Sequence, residues 1–221
     1  MPSVAVKICG LTRPEDADHA VASGAAYLGA ILAGGPRLLT IERARAVLGP
    51  RRTDVKRAAV FGEQSEAEVL AIADTLDLDV IQLHGVRTPA VVERLRVQSG
   101  RTVWPVLRVA GADLPPDAEA LAGAAGHLVL DALVVGQLGG TGVALDWAGL
   151  VERLTALRLA VPDAQLILAG GLRPTNVATA IQLLSPDVVD VSSGVETAPG
   201  LKDRLLVQQF VAAAHGAAEM A

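Results

Sequence analysis

The chain is poor in several things, and each shortage narrows what it can be. A single cysteine, Cys9, stands in 221 residues. That excludes an intrachain disulfide and any cysteine-cluster metal site, and it fits a reducing compartment. Two Trp, two Phe and one Tyr are the only aromatics, so the core has to be built from Ala, Val, Leu and Ile. Positive charge is short as well: 19 Lys and Arg against 24 Asp and Glu leave a formal charge of −5, without the basic stripe of a nucleic-acid footprint. No charge-free apolar stretch reaches the roughly 18 residues that a membrane span needs. The first residues also lack the basic region and apolar run of a signal peptide. The composition predicts a cytoplasmic chain with neither nucleic-acid nor membrane partners.

What is present is aliphatic and periodic. Hydrophobic residues make up 51% of the chain, and they fall in short continuous runs, as parallel strands buried on both faces do. Candidate strands are Val4–Ile8, Tyr27–Leu32, Arg57–Phe61, Val80–Leu83, Thr102–Leu107, Leu128–Asp131, Leu166–Ala169 and Val188–Ser192. Helix starts stand between them: Thr12 with Glu15 and Ser65 with Glu68 read as capping boxes, Thr88 precedes Pro89, and Asp146 precedes an amphipathic stretch. A last helix is expected from Lys202 onward, with Leu205, Leu206, Gln209 and Phe210 on one face. Eight strand–helix units without a linker predict one domain over residues 1–221, an α/β fold of the (β/α)8 TIM-barrel class. A doubly wound sheet shares this alternation, and periodicity alone does not separate the two.

Side chains two apart on a strand share a face. In the first run Val4, Val6 and Ile8 oppose Ala5, Lys7 and Cys9; in the fourth, Gln82 and His84 lie opposite Ile81 and Leu83. Asp131 ends the sixth run, and Asp190 and Ser192 share a face of the eighth. These polar residues therefore all point away from the helix-facing side, toward the strand C-termini where barrel active sites are built. A buried Lys7 needs a carboxylate, and Asp131 and Asp190 are the two candidates. Three glycine-rich loops follow the last strands: GGTG (139–142), AGGLRPTNV (169–177) and SSGVETAPG (192–200). Backbone amides in such loops can cradle a phosphate.

Taken together, KICGLT, QLHG, LDA with GGTG, LAGGLRPTNV and DVSSGVETAPGLKD resemble the motifs of the phosphoribosylanthranilate isomerase family of tryptophan biosynthesis. The match runs from residue 7 to residue 203. The resemblance implies a cofactor-free, metal-free Amadori rearrangement of a phosphorylated small molecule, by a monomer or homodimer. It makes Cys9 the general base and Asp131 the general acid, and it gives Arg37 the anthranilate carboxylate. His84 and Asp190 are further candidates for substrate contact, His84 reading equally as a hydrogen-bonded core histidine. Gly142, Gly171, Ser193 and Gly194 are the candidates for the phosphate. One departure stands in AGGPR (33–37), where glycine replaces the family's serine before the Pro-Arg pair. A barrel acting on another phosphorylated ribosylamine is disfavoured by Cys9, since that type uses paired aspartates. A non-catalytic metabolite-binding barrel is disfavoured by the intact Cys9–Asp131 pair.

Overall fold

In the computed structural model, which describes residues 4–85, 87–132 and 146–219, eight parallel strands close into a barrel in their order along the chain. They are β1 Ala5–Cys9, β2 Tyr27–Ile31, β3 Lys56–Phe61, β4 Val80–Leu83, β5 Thr102–Val109, β6 His127–Ala132, β7 Gln165–Leu168 and β8 Val188–Val191. Each expected strand is present, with ends moved by a residue or two. The helices are α1 Pro14–Ala22, α2 Ile41–Leu48, α3 Glu66–Thr75, α4 Pro89–Ser99, α5 Ala118–Ala125, α6 Trp147–Ala160, α7 Val177–Leu184 and α8 Arg204–Glu219. The doubly wound alternative is thereby excluded, because β1 pairs with both β2 and β8.

Strand alternation divides the apolar residues into two cores. Val6, Ile8, Ile81, Leu83, Leu128, Leu130, Val189 and Val191 pack outward against the helices. A second cluster fills the lumen, with Tyr27, Ala58, Val80, Trp104, Val129, Ile167 and Val188 among its members. Trp104 is wholly buried there, with its ring centroid 5.0 Å from that of Tyr27 and 6.2 Å from that of His127. Bulky rings plug the lower lumen, which leaves the strand C-termini to carry the polar residues.

The helix starts follow the sequence in three cases out of four. Ser65 Oγ accepts from Glu68 N while Glu68 accepts from Ser65 N at 2.8 Å, a complete capping box. Thr88 and Asp146 each accept a backbone N–H of the first turn. The expected box at Thr12 is not formed: Arg13 is the N-cap without a side-chain bond, because the Thr12 hydroxyl donates at 2.5 Å to the carbonyl of Gly200.

The last helix also departs from expectation. It begins at Arg204 and buries Val207, Phe210, Val211, Ala214 and Ala217, while Leu205 is 60% exposed. The residues just before it form an antiparallel hairpin of β9 Glu196–Ala198 and β10 Leu201–Lys202, with Lys202 paired to Glu196. That hairpin takes Lys202 out of the helix and turns the helical stripe away from Leu205.

Candidate active site

The barrel mouth opens into a cleft of about 590 Å³ lined by Cys9, Arg37, His84, Asp131, Gly171, Asp190, Ser193 and Gly194. Every expected site residue within the described part of the chain is thus gathered there; Gly142, with the GGTG segment, lies outside the described residues.

The β1–β8 register sets Lys7 beside Asp190. The Lys7 ammonium, fully buried, donates to Asp190 Oδ2 at 2.6 Å and to Gln82 Oε1 at 2.7 Å. Of the two candidate partners, Asp190 is therefore the one used. Burial alone would push the Lys7 pKa down, but the Asp190 charge and then that of Cys9 outweigh it and hold the ammonium above its ordinary value. Asp190 Oδ1 is buried and has no hydrogen-bond partner among the described residues.

Cys9 ends the same strand, 6% exposed. Burial pushes its thiol upward, and the neighbouring Lys7 charge only partly offsets this, so the group stays above the ordinary thiol value. The space it occupies exists because β2 carries glycine opposite it. A Cβ on Gly29 would lie 2.9 Å from Cys9 Sγ and 3.1 Å from Lys7 Cε.

Asp131, at the end of β6, places Oδ2 3.1 Å from His84 Nε2. Either the ring N–H donates to the carboxylate, or a protonated Asp131 donates to the ring nitrogen. This joins the two proposed roles of His84, a hydrogen-bonded residue that also lines the cleft.

Arg37 reaches over the mouth from the loop after β2. It donates to Glu196 from Nε at 2.8 and 3.1 Å and from Nη2 at 2.6 Å. Glu196 also accepts from Lys202 Nζ at 2.7 Å and from Gly200 N at 3.2 Å. Burial pushes Glu196 up, but the Arg37 hydrogen bond and the Lys202 charge hold it below the usual carboxylate range. For Lys202 burial wins over the Glu196 charge, and its pKa falls. Neither Glu196 nor Lys202 was singled out by the sequence, although both stand in DVSSGVETAPGLKD. Their signal was two charged residues in a glycine-rich loop expected to bind an anion.

The loop after β7 is braced by Asn176, whose Nδ2 donates to Gly171 O at 3.0 Å while its Oδ1 accepts from Arg173 N at 2.7 Å. After β8, Ser193–Val195 forms a single 3-10 turn. Gly34 and Gly35 border the cleft, and a Cβ at either would meet nothing within 4 Å among the described residues.

The chain is similar over nearly its whole length to proteins of one family. The family model described as N-(5′-phosphoribosyl)anthranilate (PRA) isomerase matches residues 6–213. The chain is 41% identical over 218 residues to the N-(5′-phosphoribosyl)anthranilate isomerase of Acidithiobacillus ferrooxidans, covering 98% of this chain and 100% of that one. Among solved structures, phosphoribosyl anthranilate isomerase from Thermus thermophilus superposes with a TM-score of 0.81 at 34% identity, over 95% of this chain and 98% of that one. A phosphoribosyl anthranilate isomerase solved in complex with reduced 1-(o-carboxyphenylamino)-1-deoxyribulose 5-phosphate gives 0.77 at 30% identity, over 96% and 99% of the two chains.

Proposed function

Since the chain belongs to the N-(5′-phosphoribosyl)anthranilate isomerase family, we propose how its own residues carry out that family's reaction. The activity is the Amadori rearrangement of N-(5′-phosphoribosyl)anthranilate to 1-(2-carboxyphenylamino)-1-deoxyribulose 5-phosphate in tryptophan biosynthesis, an aldose–ketose isomerisation by acid and base.

Asp131, protonated, gives its proton to the ribose ring oxygen as the C1′–O bond breaks. The anthranilate nitrogen lone pair then forms the C1′=N bond of a cationic Schiff base. That charge acidifies C2′–H, and Cys9 as thiolate removes the proton to give an enolamine, which tautomerises to the aminoketose. Burial keeps the thiol protonated in the free site, so the one proton of the pair passes from Cys9 to Asp131 before Asp131 delivers it to the ring oxygen. The cationic Schiff base then stabilises the thiolate left behind, since an opposite charge within about 4–6 Å favours the charged form. His84 holds Asp131 through the 3.1 Å contact. Arg37 grips the aryl carboxylate, and the unpaired Oδ1 of Asp190 accepts a sugar hydroxyl. Amides near Gly142, Gly171, Ser193 and Gly194 hold the phosphate, a remote contact whose binding energy positions the reacting carbon.

The observation that carries this reading is the convergence of Cys9 from β1 and Asp131 from β6 on one cleft. The test is turnover of freshly prepared phosphoribosylanthranilate, followed by loss of anthranilate fluorescence, for the wild type and Cys9→Ser. A fall of at least about 10² in kcat/KM is expected for the variant. The reactive form, thiolate with carboxylic acid, holds the same single proton as thiol with carboxylate. On the alkaline side the wild-type kcat/KM should therefore fall once the raised thiol titrates. Unchanged turnover in Cys9→Ser would discard the proposed base.

A further inference from the structure

The hairpin of β9 and β10 buries little. Thr197 and Ala198 are exposed and Leu201 is 40% exposed, so apolar packing does not explain its ordered shape. Polar bonds do. Lys202 N donates to Asp16 Oδ2 at 3.2 Å, Arg13 Nη2 donates to Asp16 Oδ1 at 2.8 Å, and Thr12 Oγ1 donates to Gly200 O at 2.5 Å. What the hairpin delivers is one buried carboxylate and one buried ammonium, Glu196 and Lys202, with side chains 4% and 1% exposed.

Resting on the reading of Arg37 as the grip on the aryl carboxylate, we infer that Glu196 is the positioning residue that makes the grip selective and that Lys202 supplies its charge. A guanidinium has five N–H groups in a fixed plane. Glu196 takes the Nε–H and one Nη2–H, so the Nη1–Nη2 edge is the one turned to another acceptor, and that edge matches a carboxylate bidentately. The arm is fixed from beneath as well, because a Cβ on Gly10 would lie 2.5 Å from Arg37 Cδ. An Arg–Glu pair alone carries no net charge. Lys202, bonded to Glu196 and at 3.0 Å to Ser192 O, leaves the trio with a net single positive charge when all three are ionised. Geometry and charge are thus supplied by different residues of one hairpin.

The experiment compares binding of two ligands: reduced 1-(o-carboxyphenylamino)-1-deoxyribulose 5-phosphate and its counterpart lacking the carboxyl group. Their Kd values are measured by calorimetry for the wild type, Arg37→Ala, Glu196→Gln and the double variant Glu196→Gln/Lys202→Met. The double variant keeps the wild-type charge of the trio and avoids two unbalanced buried cations. Glu196→Gln and the double variant should each lower the preference for the carboxylated ligand by about tenfold or more, with the other ligand changed by less than about threefold. Loss of the preference in Arg37→Ala but not in Glu196→Gln would overturn the inference alone. Equal weakening of both ligands would make Glu196 merely structural and would also overturn it. A double variant with the wild-type preference would reduce the effect to charge and defeat positioning. A preference untouched in Arg37→Ala would remove the grip itself and this inference with it.

Discussion

The Lys7–Asp190 pair offers the sharpest test of the buried architecture. Lys7 is fully enclosed, and its ammonium rests on one carboxylate oxygen at 2.6 Å and one amide oxygen at 2.7 Å. Asp190→Ala removes the countercharge and leaves the amide oxygen of Gln82. An uncompensated buried charge costs about 3–5 kcal/mol. At about 2–4 °C per kcal/mol for a chain of this size, Tm should fall by about 6–20 °C. Urea titration followed by the fluorescence of buried Trp104 reads the same loss. Replacing both partners, Lys7→Met with Asp190→Leu, should recover most of it, because no unpaired charge remains in the lumen. The pH dependence has a definite sign. Lys7 is held above its ordinary value in the folded chain, so the stabilisation is full below the unfolded lysine pKa of about 10.4 and fades as pH rises through the folded one. The gap between the wild type and Asp190→Ala should narrow as pH rises, first because Lys7 without Asp190 is pushed down by burial and loses its proton, then because the wild-type ammonium titrates in strong alkali. A cost below about 1 kcal/mol, or a double variant as unstable as the summed single variants, would refute the reasoning.

Two further outcomes follow from local geometry. Gly29→Ala puts a methyl 2.9 Å from Cys9 Sγ; displacement of the thiol should cut kcat by about 10–10² with a stability loss of about 1–3 kcal/mol, and wild-type kcat would show that the thiol position does not govern the rate. Ser65→Ala breaks the capping box of α3 on an exposed turn that does not border the cleft; thermal denaturation should show a loss of about 1 kcal/mol with kcat/KM unchanged.

The strands were legible because a parallel barrel buries both faces, so each strand writes itself as an uninterrupted aliphatic run. The inward set was legible because strand alternation has a period of two, which put Lys7, Gln82, Asp131 and Asp190 on one side before any contact was known. Roles for Cys9, Asp131 and Arg37 came from family resemblance, since a thiol or a carboxylate at a strand end does not declare its chemistry. Contacts remote in sequence were not legible. Choosing between Asp131 and Asp190 required the register of β1 on β8. Thr12 looked like a cap because its local context is that of one, yet its hydroxyl serves Gly200, 188 positions away. Glu196 and Lys202 lay in a segment whose glycines and proline hide two very short strands, and the last helix was expected from Lys202 because that hairpin was not foreseen.

Closing β1 onto β8 also orders events during synthesis. Lys7 leaves the ribosome 183 residues ahead of Asp190, a delay of roughly 10–40 s at about 5–20 residues per second. For that interval the lysine has no carboxylate from the last strand, and burial of its charge is opposed by several kcal/mol. Enclosure of the Lys7 face of the first strand is thus disfavoured until the eighth strand supplies the countercharge.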